Sequence, residues 1–202
     1  NNHFVTGYQA TGFKAMLATN RKRDAVSYLE CFEQFGELSC KVCISPPDMR
    51  EGVDDIEDGI DDKVAAYWNR MMKRYGDADS YEDSVKSRFV DGDVDILIVC
   101  SKLLTGFDAP LCQVLYIDKE LKEHGLLQAI ARTNRLHEGK DYGLIVDYRG
   151  LIQELDDAVN MYSGAGLEQF DACDLKGTIV DIMGVVANLR QSYTRLENLF
   201  RP

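Results

Sequence analysis

Several stretches of this chain are apolar at consecutive positions, not at every second one. They are the core of "VDILIVCS" (94–101), of "CQVLYID" (112–118) and of "YGLIVDYRG" (142–150). Successive side chains of a strand point to opposite faces, so a run of this kind is stable only where both faces are covered. Between such runs lie segments with helical spacing. A chain that alternates doubly buried strands with helices is directed to one architecture: a parallel sheet with helices on both faces, in the α/β class.

The remaining segments fit that frame. "FKAMLATN" (13–20) reads as a buried strand feeding a loop. The next segment places Ala25, Val26, Leu29, Phe32 and Phe35 at helical spacing, with Gly36 as its stop. "CKVCIS" is a second strand, ended by Pro46-Pro47. "DDKVAAYWNRMMKRYG" and "SYEDSVKSRFVDG" read as two helices, and "LLQAIARTNRLHEG" (126–139) as the helix after the strand at 112–118. From about residue 151 strand signals cease. Leu175, Ile179, Ile182, Val186, Leu189, Tyr193, Leu196 and Phe200 form one apolar stripe. The expected organisation is an α/β domain over 1–150 and a helical extension over 151–202. Because the sequence opens on Asn-Asn without an initiator Met, it is expected to be processed or cut from a longer polypeptide.

The formal net charge of −11 argues mildly against a free-standing nucleic-acid binder. The charge is uneven, however: "DMREGVDDIEDGIDD" (48–62) holds eight acidic residues against a single arginine. No apolar run approaches the roughly 20 residues that cross a bilayer, so a soluble, cytoplasmic protein without membrane partners is expected. Among six cysteines, Cys40 and Cys43 form a lone C-x-x-C in a strand. A zinc site wants a second pair and a redox site wants the motif opening a helix, so these read as buried strand residues. His3, His124 and His137 have no metal-ligand spacing, and no metal site is expected.

The helix at 126–139 carries an unusual polar stripe. At 100° per residue, Gln128, Arg132 and Arg135 fall within an arc of about 60°, opposite Leu126, Leu127 and Ile130. Any solvated helix face has this look. Its context argues for more. The preceding strand breaks into "SKLLTGFDAP", and in open α/β sheets ligands bind at the carboxyl ends of strands. Gly106 permits unusual backbone geometry, Asp108 offers a carboxylate, and Ser101 and Thr105 offer hydroxyls. Two guanidinium groups beside such a loop suit a polyanion, whose oxygens they match in pairs.

These residues carry a resemblance. "CSKLLTGFDAP" resembles motif V of superfamily-two helicases and translocases, "QAIARTNR" resembles their motif VI (Q-x-x-G-R-x-x-R, with Ala131 in the Gly position), and "KAMLATNRKRDA" resembles the motif IV region. "KAMLATN", "ISPPDMREG", "KLLTGFDAP", "LLQAIARTNR" and "GLIVDYRG", in that order, are similar to the restriction (R) subunit of type I restriction-modification enzymes over roughly residues 10–150.

That resemblance implies a RecA-like second motor domain. ATP and Mg2+ would lie in a cleft shared with a first RecA-like domain of the same parent chain, which would supply the phosphate-binding loop and the magnesium site. Arg132 and Arg135 would approach the γ-phosphate, Gln128 would orient that contact, and Gly106 and Asp108 would lie near the nucleotide. Thr19, Asn20, Ser101, Lys102 and Thr105 would contact the backbone of double-stranded DNA. The further partners implied are a nuclease domain in the parent chain and the methyltransferase and specificity subunits. The sequence has no G-x-x-x-x-G-K-[ST]: its one Gly-Lys, Gly139-Lys140, is followed by Asp141. The chain alone is therefore expected not to hydrolyse ATP. Pro47-Asp48 with Glu138-Gly139-Lys140 mimics the P-D…E-x-K pattern of metal-dependent nucleases, but the resemblance places the nuclease elsewhere in the parent. The alternatives are the second motor domain of another superfamily-two protein, such as a type III restriction subunit or a repair helicase, or a non-catalytic α/β interaction domain.

Overall fold

The computed structural model describes residues 2–47, 62–100, 102–104, 107–121, 125, 128, 129, 131 and 133–150. The acidic segment and the 151–202 extension, with its apolar stripe, lie outside them. All described residues belong to the first of the two units into which the chain divides, Asn1–Ala158.

The described elements are α1 (Asn2–Gly7), β1 (Lys14–Thr19), α2 (Lys22–Phe35), β2 (Cys40–Cys43), α3 (Asp62–Tyr75), α4 (Ala78–Val90), β3 (Ile96–Val99), β4 (Cys112–Asp118) and β5 (Leu144–Asp147). The strands form one sheet in the order β2-β3-β1-β4-β5. Every pairing is parallel, with Leu17 opposite Ile98 on one side and Tyr116 on the other. All six residues of β1 and all four of β3 are buried. Because neighbouring residues face opposite sides, both faces of the sheet centre are covered, as the consecutive apolar runs require. α1 and the 3-10 turn Gln9–Thr11 are short elements without an apolar run to signal them in the sequence.

Local chemistry sets the element ends. α2 buries Ala25, Val26 and Leu29 and stops at Gly36, whose φ of 67° puts it in the left-handed region while its N–H donates to the Phe32 carbonyl. α4 starts at Asp77, whose carboxylate accepts from the Ser80 N–H at 2.8 Å. Hydrogen bonding to Ser80 holds the Asp77 carboxyl below its usual range.

Both ends of the sheet are stitched by side chains. At the amino end, Lys14 is buried. Its ammonium donates to the Gly92 carbonyl at 2.7 Å and lies 3.6 Å from Asp95, whose carboxylate also accepts from the Ser39 N–H. On the edge strand β2, the Tyr67 and Tyr81 hydroxyls both donate to the Val42 carbonyl. The two hydroxyls thus occupy an edge acceptor that could otherwise pair with another chain. Cys40 is in register with Ile96 and Cys43 with Val99, three residues apart and so on opposite faces of the sheet. Both are buried, and burial pushes each thiol up to about 12. Two thiols so placed cannot chelate one ion together.

Candidate functional site

The loop after β3 is the first component. Lys102 pairs with Glu82 near the start of α4, and Glu82 also holds Lys86 at 2.5 Å. Farther along, the ring of Phe107 packs on Phe89 near the end of α4, with centroids 6.1 Å apart. Glu82 and Phe89 are seven positions apart, so the loop descends about 10 Å alongside α4. It therefore starts at the carboxyl end of the sheet and finishes at the amino end, where the Lys14 N–H donates to the Leu111 carbonyl. Leu103 is buried with φ of 67°, an uncommon conformation for a residue with a side chain. The sequence reading assigned unusual backbone geometry to Gly106. Gly106, Ser101 and Thr105 lie outside the described residues.

The segment after β4 is the second component. Gly125, Gln128, Ala129, Ala131 and Thr133 are helical. Ala129 and Thr133, one turn apart, are buried and mark the face against the sheet. Gln128 is half-buried, and Arg132 lies outside the described residues. Asn134 then turns the chain, and Arg135 stands beyond the helix. This corrects the helical-wheel placement of Arg135, because a period of 100° per residue does not extend past the turn. The reason lies in β5. A Cβ on Gly143 would sit 2.4 Å from the Thr133 carbonyl oxygen and 2.8 Å from Asn134 Oδ1. The helix end and the start of β5 are in backbone contact, which only glycine permits, and the chain must turn there to enter the His137–Lys140 reversal.

The two components meet. Arg135 Nη1 donates to Asp108 Oδ1, joining the motif VI-like and motif V-like segments. Both side chains are exposed, Arg135 by 49% and Asp108 by 67%. An exposed pair of this kind contributes under about 1 kcal/mol and is screened by salt. Close by in both segments, Lys140 is 8% exposed and donates to the carbonyls of Pro110 at 3.0 Å and Cys112 at 2.8 Å. Burial holds its pKa below the usual lysine value. This placement removes Lys140 from the nuclease-like E-x-K pattern, since its ammonium faces backbone carbonyls in the interior.

The DNA-type candidates lie elsewhere. Thr19 is fully buried, its hydroxyl 3.2 Å from the Arg21 carbonyl and 3.3 Å from that of Val99. A hydroxyl without exposure ties strand ends together and presents nothing to a ligand. Asn20 is exposed, and its carbonyl accepts from the Cys100 thiol. Asn20 and Lys102 are thus at the carboxyl end, whereas Asp108 and Arg135 are at the amino end. The seven residues of β4 set the separation of those ends at roughly 20 Å. The sequence reading put the whole of the loop at the carboxyl ends; the structure divides it between them.

Sequence reasoning missed Glu82 and Asp118, and it met Lys140 only in the E-x-K pattern. Asp118 accepts from the Tyr28 hydroxyl and pairs with Arg149, each at 2.8 Å. The pairings of Glu82 with Lys102 and of Asp118 with Arg149 join residues distant along the chain, and the Glu82–Lys86 spacing is that of any solvated helix face. Burial raises the Glu82 carboxyl, but Lys102 and Lys86 outweigh it and hold the group below its usual value of 4.5. A depressed folded value contributes stability that is fully present above the unfolded value and is lost as pH falls through the folded one. Glu82→Gln is therefore expected to flatten the loss of stability between about pH 5 and 3. Thermal melts of both chains across that range measure it, and parallel curves would show that the pairing contributes nothing.

Among the described residues, no group of three or more His, Cys, Asp or Glu is placed to hold a metal ion, and no helix is long and apolar enough to cross a membrane.

Among the described residues, a parallel five-stranded sheet flanked by helices defines an α/β domain. The chain belongs to the family of type I restriction enzyme subunit R domain 3, whose model matches residues 11–150. It is 48% identical over 103 residues to the type I restriction enzyme SauCOLORF180P endonuclease subunit of Staphylococcus aureus (strain COL), covering 50% of this chain and 10% of that one. It is 31% identical over 172 residues to the putative type I restriction enzyme MjaVIIP endonuclease subunit of Methanocaldococcus jannaschii, covering 83% of this chain and 16% of the relative. The matched regions thus span between a tenth and a sixth of these relatives. Among solved structures, the C-terminal domain of the DEAD-box protein Dbp5 aligns with a TM-score of 0.47 at 13% identity, over 75% of this chain and 71% of that one.

Proposed function

We propose that this chain is the second RecA-like motor domain of a type I restriction enzyme R subunit, with the helical region of the parent beginning near residue 151. In this reading it supplies arginines to an ATP site shared with the first motor domain, and DNA-backbone contacts for translocation along double-stranded DNA before cleavage. The observation that carries it is the meeting of Arg135 with Asp108, which brings the two motif-like segments to one exposed corner of the sheet.

The residues present fit half of a nucleotide site. An exposed guanidinium whose partner is itself an exposed carboxylate is able to exchange that partner for phosphate oxygens at small cost. Bound ATP with Mg2+ would supply the phosphoryl group and a counter-charge. The chain's own contribution is positive charge held at a fixed place, with Arg132 and Gln128 beside Arg135 in the same motif. At the opposite end, Asn20 and Lys102 are offered to DNA phosphates; Ser101 and Thr105, the other residues of this proposed set, lie outside the described residues. Contacts of these types grip without reading sequence, which suits a translocase. The acidic balance of the chain fits a domain that shares its DNA track with other parts of the parent, working alongside nuclease, methyltransferase and specificity components.

The chain alone is expected to show no DNA-stimulated ATPase above blank, because no phosphate-binding loop occurs in its sequence. The R subunit that contains it is expected to hydrolyse ATP when DNA is added. Robust turnover by the purified chain would locate a complete nucleotide site within it and overturn the shared-site reading.

A further inference from the structure

We propose that Lys140 is a positioning residue for the arginine segment: its buried ammonium fastens the loop bearing Asp108 to the turn that follows Arg135, so that the guanidinium is presented from a fixed place. The proposal rests on the reading of Arg135 as a nucleotide-facing group.

The exposed Arg135–Asp108 pair is screened by salt and too weak to fix two loops. Lys140 lies close by in a different setting. Its Nζ reaches the carbonyls of Pro110 and Cys112, two and four residues after Asp108. Those carbonyls belong to a closed turn, with the Cys112 N–H donating to the Ala109 carbonyl at 3.0 Å. On its own side, the Lys140 N–H donates to the His137 carbonyl at 3.0 Å, closing a turn that opens two residues after Arg135. Two short, internally bonded turns are thus joined through one ammonium. Farther along, Gln113 Nε2 donates to the Tyr142 carbonyl at 3.2 Å, and Gly143 abuts Thr133.

A lysine that only filled space would be a poor choice here, since burying an ammonium is unfavourable unless its donors are used. Among the described residues no carboxylate pairs with it; backbone carbonyls take its donors instead. A backbone anchor is indifferent to side-chain exchange, so Arg135 is free to leave Asp108 for a phosphate while its turn stays in register. Catalytic groups are sensitive to such placement, with displacements near 1 Å costing up to about a hundredfold.

The test uses the R subunit containing this chain, with ATPase and DNA binding measured on Lys140→Met, Lys140→Arg, Arg135→Ala and the Lys140→Met/Arg135→Ala double variant. Lys140→Met is expected to lower kcat about tenfold with KM for ATP changed by less than about twofold, the pattern of a lost transition-state contact. The double variant is expected to be no slower than Arg135→Ala, because Lys140 acts through that arginine. DNA affinity should stay within about twofold, since Asn20 and Lys102 are at the other end of the sheet. Lys140→Arg, which keeps donors for both carbonyls, should recover most of the rate, and carries the same cycle if the Met variant does not fold. Losses that multiply in the double variant, DNA binding that falls in step with kcat, or a folded Lys140→Met at wild-type rate would each overturn the proposal. Wild-type ATPase in Arg135→Ala would instead sink the nucleotide reading itself, whatever Lys140 does.

Discussion

Alanine at Arg132 or Arg135 in the R subunit is expected to lower DNA-stimulated ATP hydrolysis about 10³-fold or more and to abolish translocation. The magnitude follows from the task. Phosphoryl transfer asks little covalent chemistry of the protein, so rate comes from positioning and from charge at the transferring group. Arg135 is suited to that task by its exposure, by a partner it is able to exchange, and by a segment held through buried contacts. Its removal should leave the fold intact, since the pair it forms with Asp108 contributes little stability. The measurements are steady-state ATPase with saturating DNA and a strand-displacement assay for translocation, alongside a melting curve. Near-normal ATPase in both variants would refute the assignment. Asn20 and Lys102 supply internal controls, because substitutions at the DNA end should weaken DNA binding and its salt dependence before they change kcat.

The other large effect is on stability. Phe89→Ala is expected to destabilise the chain by about 3–5 kcal/mol, because Phe89 is fully buried and its removal leaves a cavity. For a domain of this size that corresponds to a fall in Tm of roughly 6–20 °C. The consequence reaches the site. Phe89 is the aromatic partner of Phe107, one residue before Asp108, so the cavity opens where the loop is fastened to α4. Circular dichroism melts would measure the loss, and a Tm shift under about 3 °C would show that the neighbourhood collapses to fill the space. A parallel drop in ATPase of the folded variant at low temperature would show that the loop's path along α4 matters to the rate.

Most strands were legible because burial on both faces forces consecutive apolar residues. β1, β3 and β4 announce themselves so, β5 shows the same apolar run although its four residues are only half-buried, and α2 is readable from Ala25, Val26 and Leu29 with Gly36 as its stop. α1 was not legible, since a six-residue helix spans fewer than two turns and repeats no apolar position. The candidate site was legible only as residue types. Arg135, Asp108, Gln128 and Lys102 stood out through motif spacing, but spacing could not show which of them meet. It grouped Asp108 with Lys102, which the structure separates along α4, and it set Arg135 on a helix that ends at Thr133. The resemblance implied Thr19 as a DNA contact, and its hydroxyl is enclosed between two carbonyls.

The sequence by itself determined the α/β class, the parallel character of the sheet and the family, because periodicity and ordered motifs are local properties of the chain. Tertiary structure alone decided that Lys140 turns inward onto Pro110 and Cys112, that Glu82 claims Lys102, and that Arg135 reaches Asp108 across 27 positions. Each of these depends on bringing distant segments to hydrogen-bonding range. The packing of Gly143 against Thr133, not any property of either residue along the chain, sets where the arginine segment leaves its helix.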